Sequence, residues 1–205
     1  NQIFTVDRNQ RDQNKIAREL IYYTIDAFLP LFDRLTVASV AGNHGENRND
    51  GKMVTDEADN ADIACFEAVK EAYDRTNNYS IEWIIPQHEL SIALQMGGVS
   101  VGFTHGHIFR KGSTIQQKAV EWFRGQVFGG GAVKDAKILI SGHFHHFLAT
   151  QVGIRTLFQT PAMDPGSKWV SDCSGEVTPP GVLTMRITSD EPVGYADIQI
   201  LAPRE

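Results

Sequence analysis

Cysteine is scarce: Cys65 and Cys173 are the only two in 205 residues, and they form no Cys-x-x-Cys pair. Cys65 falls inside a helical pattern and reads as a small buried hydrophobe, which fits a reducing, cytoplasmic setting. Runs of positive charge are missing too. The 19 Lys and Arg are outnumbered by 25 Asp and Glu, the net charge is −6, and no basic stripe is present. That weighs against a protein gripping long nucleic acid through many phosphates. No apolar run approaches the roughly 18 residues of a membrane span, no basic-then-apolar leader opens the chain, and there is no internal repeat or low-complexity tract. What remains, 41% hydrophobic and 21% charged residues, suits one sizeable core, and the expectation is a single domain over 1–205.

Histidine is what the chain has in an unusual arrangement. Six of the seven, His44, His105, His107, His143, His145 and His146, fall in three short glycine-bearing segments, with His88 apart. Each segment follows an apolar run. Leu35 to Ala41 precedes Gly42-Asn43-His44, Val99 to Thr104 precedes His105-Gly106-His107, and Ala136 to Ile140 precedes Ser141-Gly142-His143-Phe144-His145-His146. Three strand ends meeting at one place would make an imidazole-rich site at a sheet edge, where α/β proteins put their chemistry. Read as an extended segment, the last stretch points His143 and His145 to one face. Two such imidazoles, with His105 as a third, suit a divalent metal better than a hydrogen-bonded structural network.

Along the chain, an apolar stripe of Ile16, Leu20, Ile21, Ala27, Phe28 and Leu31 predicts a helix over about 12–32, ended near Pro30. The β-branched run 35–41 predicts an interior parallel strand covered on both faces. A polar loop spans 45–52, and a second helix is predicted over 56–76, broken at Asn77-Asn78. Strands follow at 81–85 and 99–104, with a short helix or flap between, at 87–98. Ser113-Thr114-Ile115-Gln116 has capping-box spacing and opens a helix to about Phe128. Past Phe147, short strands at 148–152, 156–159, 181–188 and 196–201 predict antiparallel pairing in a second sheet.

Chemistry assigns roles to these residues with alternatives open. The Asn43 amide oxygen can ligate a cation or simply close a turn. His44 can face a substrate and donate a proton to a leaving oxygen, since imidazole titrates near neutrality. Glu46 can orient His44, Arg48 can meet a phosphate with its guanidinium fork, Asp50 is a weaker candidate for the work of Glu46, and His107 and His146 are substrate-facing or bystanders.

The succession Gly42-Asn43-His44, Thr104-His105-Gly106-His107, Gly142-His143-Phe144-His145 resembles the second half of the signature of the calcineurin-like metallophosphoesterase superfamily, over most of residues 35–160. The resemblance implies an α/β fold, a two-sheet β-sandwich flanked by helices in four layers, α/β/β/α, with two metals at strand ends. It implies that Asn43, His105 and His143 ligate one metal and His145 the other, with His44 as the general acid. A metal-bridging hydroxide would attack phosphorus in line.

The chain also departs from that pattern. No Asp-x-His or Gly-Asp-x-x-Asp segment precedes Gly42, and the acidic residue after the Asn-His pair is displaced by Gly45 to Glu46. With Asn1 in place of an initiating methionine, the expectation is a domain incomplete at its N-terminus, lacking the first βαβ region and inactive as it stands. The complete protein is expected to be a metal-dependent phosphoric ester hydrolase, preferentially a phosphodiesterase and nuclease-like. Its two divalent ions are drawn from Mn, Fe, Zn and Ni with Mn favoured, and its substrate is a phosphate ester, including a nucleotide or a nucleic-acid end. The main alternative is an inactive structural or regulatory module of the same fold that binds one metal or none. An unrelated single-metal hydrolase using His105, His143 and His145 is the third reading. Trp83, Trp122 and Trp169 include interface candidates, but oligomeric state is not written in the sequence.

Overall fold

A computed structural model describes residues 8–76, 80–164, 172, 175 and 177–202. The expectations attached to Asn77-Asn78, Trp169 and Cys173 lie outside these residues. The fold is mixed α/β with several sheets, and it divides into two compact units, 1–90 and 91–205.

In the first unit, α1 (Gln10–Phe28) starts at Asn9, whose side chain accepts the Asp12 N–H at 2.9 Å. This cap satisfies one of the helix's orphan donors. A 3-10 turn, Leu29–Leu31, carries Pro30 and ends the helical run. Ile25 is buried with Val69, Tyr73 and Ile81, and Ile21, Tyr22, Leu29, Leu35, Val37 and Trp83 pack round them. Ile16, Leu20, Phe28 and Leu31, expected in the apolar stripe, stay exposed. The buried face is thus narrower than the sequence pattern implies. β1 (Leu35–Ala38) pairs in parallel with β4 (Ile81–Ile84), which is its only partner among the described residues, so the expected doubly covered strand is half-buried instead. Between them lie the small ribbon of β2 (Arg48–Asn49) and β3 (Lys52–Met53), then α2 (Ala61–Arg75). α2 begins five residues later than expected. Asp56 accepts the Ala58 and Asp59 N–H groups in a turn of its own, and Asn60 is the true N-cap. Short polar side chains compete with the helix ladder in this way.

The second unit is built on a five-stranded sheet in the order β5 (Ser91–Met96), β6 (Val99–Thr104), β7 (Ile138–Ser141), β9 (Arg155–Gln159), β8 (Leu148–Val152). Residues 87–98 are therefore neither helix nor flap, since β5 pairs antiparallel with β6. Gly97 and Gly98, at φ 53° and 78°, form the two-residue hairpin turn whose positive dihedrals match strand twist. β6, β7 and β9 run parallel. The expected second sheet is smaller than the sequence suggested. β8 and β9 join the main sheet, leaving only the antiparallel pair β10 (Val182–Ile187) and β11 (Tyr195–Leu201) apart from it.

Alternation along the strands sets the layers. Leu139 and Leu157 face α3 (Ile115–Gly129), burying Ala119, Phe123, Val133 and Ala136. Val101, Ile138 and Phe158 face the other way and pack with Leu183, Met185, Ile187 and Tyr195. This unit alone supplies the helix, sheet, sheet order of a sandwich. The α3 capping box is one residue later than expected, with Thr114 and Gln117 exchanging bonds. Cys65 is buried, as expected, and forms no disulfide among the described residues. No helix among the described residues is long and apolar enough to cross a membrane.

Candidate functional site

The Gly42-Asn43-His44-Gly45 turn leaves the end of β1 through Ser39 and Ala41, both buried. Two side chains from the start of α2 hold it. Asn60 donates from Nδ2 to the Gly42 carbonyl at 2.9 Å while its Oδ1 accepts the Asp62 N–H at 2.9 Å. Asp62 Oδ2 accepts the Gly42 N–H at 3.0 Å. Below them, Ala61 N–H donates to the Gly45 carbonyl at 2.8 Å. Gly45 is buried so tightly that a Cβ there would stand 2.1 Å from Asn60 Oδ1 and 2.9 Å from the Asp62 carboxyl carbon. Only glycine fits between the turn and the helix. The result leaves Asn43 half-buried and His44 exposed.

Glu46 and Arg48 form an ion pair, with Arg48 Nε and Nη2 at 2.8 and 2.6 Å from Glu46 Oε2. Each was expected to work separately, the acid on His44 and the guanidinium on a phosphate. The carboxylate bonded into the histidine turn is Asp62, which sequence reasoning missed. Its signal was present as an Asn-x-Asp pair opening a helix 18 residues past Gly42, but only the folded chain brings it back. Burial, the largest influence, raises the Asp62 pKa above the ordinary 3.8, opposed by the Gly42 N–H and then by the charge of His44.

In the second unit the parallel register places Thr104 beside Ser141 and Ser141 beside Gln159, so the carboxyl ends of β6, β7 and β9 coincide. The two histidine segments leave from adjacent ends, joined by a hydrogen bond from Gly142 N–H to the His105 carbonyl at 3.1 Å. The rings gather accordingly. His105 and His143 centroids are 5.2 Å apart, His105 and His107 5.4 Å, and His107 and His143 6.2 Å. The segment after β7 is not extended, which corrects the alternating-face reading. His143 has φ 72° and His145 φ 60°, both left-handed. Non-glycine residues in that region cost about 1–3 kcal/mol and collect at functional sites. Phe144, packed against Phe109, fixes the turn to the core, and His146 bonds the Phe144 carbonyl at 3.1 Å.

Two buried polar groups beside these turns lack hydrogen-bond partners. His145 Nδ1 is one, and both amide atoms of Gln159, a residue 2% exposed, are the other. A buried polar group without a partner is expensive. An imidazole nitrogen left without a hydrogen-bond partner fits a borderline divalent cation. Among the described residues, however, no group of three or more His, Cys, Asp or Glu stands in a metal-holding arrangement. The structure therefore brings His105, His107 and His143 together in one unit, and holds Asn43, His44, Glu46 and Arg48 in one loop region of the other.

No family model matches the chain, and no curated protein matches it. Solved structures do resemble it. Vps29 of Entamoeba histolytica, complexed with zinc, has 19% identity and a TM-score of 0.37, covering 58% of this chain. The chain spans 63% of that protein's length, slightly under two thirds. A Streptococcus pneumoniae protein described as a predicted phosphoesterase has 15% identity and a TM-score of 0.43, with 92% of this chain and 82% of that one covered. Vps29 of Chaetomium thermophilum has 11% identity and a TM-score of 0.43 over 79% of this chain and 75% of its own.

Proposed function

We propose that the protein bearing this chain is a metal-dependent phosphoric ester hydrolase acting on diesters. The observation that carries this reading is the imidazole group of His105, His107 and His143 on two adjacent strand ends, their centroids 5.2 to 6.2 Å apart. His105 and His143 would hold one divalent ion and His145 a second, and manganese, iron, zinc or nickel suits donors without thiolate. Bound divalent ions would supply positive charge for the phosphoryl oxygens and acidify water.

The chain's own residues do the rest. His107 donates to a non-bridging phosphate oxygen. His44, exposed and on a turn clamped by α2, delivers a proton to the departing alkoxide. Arg48, already held by Glu46, presents its remaining N–H groups to a phosphate. The acidic balance favours nucleotides or nucleic-acid ends over long duplex, in a cytoplasmic setting.

The test is manganese-dependent hydrolysis of bis-(p-nitrophenyl) phosphate against the monoester, with His143→Ala and His44→Ala beside the parent. Loss of hydrolysis in His143→Ala together with metal content supports the reading, and equal rates in parent and His143→Ala oppose it. The second reading is a non-catalytic module of the same fold, which would give metal binding, or none, with no hydrolysis.

A further inference from the structure

We propose that Asp62 is the positioning residue of the Asn43-His44 turn, its carboxylate fixing the Gly42 amide and so the backbone that carries His44. The catalytic consequence rests on the reading of His44 as the acid, while the clamp stands on geometry alone. The α2 start does not need this carboxylate, because Asn60 is already the N-cap and accepts the Asp62 N–H at 2.9 Å. Asp62 turns back across 20 residues to the Gly42 N–H at 3.0 Å instead. Its neighbour Asn60 takes the Gly42 carbonyl at 2.9 Å, so both backbone groups of one glycine are held by residues two apart on one helix start.

Such a double hold defines the peptide planes on both sides of Gly42. Charge-assisted bonds to backbone N–H groups are shorter and stronger than neutral ones. A carboxylate in the first turn of a helix is favoured by the helix dipole as well. The charge also reaches His44, whose positive form favours the ionised acid while burial opposes it. Glu46, the sequence-based candidate for orienting His44, is engaged with Arg48. The residue that orients the histidine therefore comes from α2 and not from the loop that follows it.

The experiment uses the isotope-labelled chain without metal, comparing the parent with Asp62→Ala and Asp62→Asn. In Asp62→Ala the Gly42 amide should exchange about 10-fold faster or more, as a lost charged hydrogen bond implies, and the His44 ring resonances should move. Asp62→Asn keeps an acceptor, so Gly42 protection should be largely retained while the His44 ring signal still shifts with the lost charge. A folded Asp62→Ala with parental Gly42 exchange and an unmoved His44 signal overturns the proposal. If that variant does not fold, an unmoved His44 signal in Asp62→Asn overturns it equally. With a diester substrate, Asp62→Ala should lower kcat with KM and metal content within about two-fold, and Asp62→Asn should recover part of the loss. If the complete protein hydrolyses nothing, the phosphoesterase reading fails, and the exchange and ring measurements on the chain still decide the clamp.

Discussion

Replacing Gly45 with alanine puts one methyl group where the turn touches α2, and the geometry sets the size of the effect. The new carbon would stand 2.1 Å from Asn60 Oδ1, well inside contact distance, so Asn60 has to move. Moving it disturbs the cap of α2 and the bond to the Gly42 carbonyl together. Overpacking costs about 1–3 kcal/mol, a lost N-cap about 1 kcal/mol, and an unpaired buried carbonyl about 1–3 kcal/mol. These are one displacement and do not add fully. Reduced freedom of the unfolded chain returns about 0.4–1 kcal/mol. The net expectation is a loss of about 2 kcal/mol, or roughly 4–8 °C in Tm for a chain of this size. Urea unfolding followed by circular dichroism measures it. Gly125→Ala is the internal control, because that glycine lies in α3 with open space around it, and alanine there should stabilise by about 0.5–1 kcal/mol. A Gly45→Ala protein within about 0.5 kcal/mol of the parent, the scatter of neutral surface changes, would refute the clamp geometry.

Further outcomes follow from the same contacts. Phe158→Ala, at a fully buried position between the two sheets of the second unit, should cost about 3–5 kcal/mol in chemical denaturation. His143→Asn should fold about as well as the parent because asparagine tolerates the left-handed φ of 72°, whereas His143→Val should lose about 1–2 kcal/mol; thermal unfolding of the two variants compares them. Asp62 has a raised pKa, so the folded protein binds its proton more tightly than the unfolded chain does. Its contribution is fully present below pH 3.8 and is lost as pH rises through the folded value. Stability of the parent relative to Asp62→Asn should accordingly fall as pH rises above 3.8 in urea titrations, and a rise would contradict the assignment.

The apolar runs 35–41, 81–85, 99–104 and 136–140 were legible as strands because β-branched and apolar residues dominate them, with no more than two polar residues in each. The histidine clusters at the ends of β6 and β7 were legible for the same reason, since parallel neighbours in register end together. Residues 87–98 misled because Leu, Ile and Ala fit either period, and the decisive signal was the Gly97-Gly98 turn. The left-handed turns at His143 and His145 leave no mark in a period-two pattern, because histidine is not a residue that announces positive φ. Asp62 was hidden by distance along the chain. A carboxylate in the first turn of a helix reads as dipole compensation until the fold shows what it bonds. The split between β8 and β9 in the main sheet and β10 and β11 apart was equally hidden, because strand order depends on long-range pairing that short alternating runs do not encode.

On the proposed reading, the imidazoles at the ends of β6 and β7 hold a divalent cation. Manganese binding to the metal-free chain, followed by electron paramagnetic resonance, tests it most directly in the parent and in His105→Ala/His143→Ala. Binding should be saturable in the parent and lost in the double variant, whose circular dichroism spectrum should be unchanged. Equal manganese uptake by both proteins, or none by the folded parent, would contradict it.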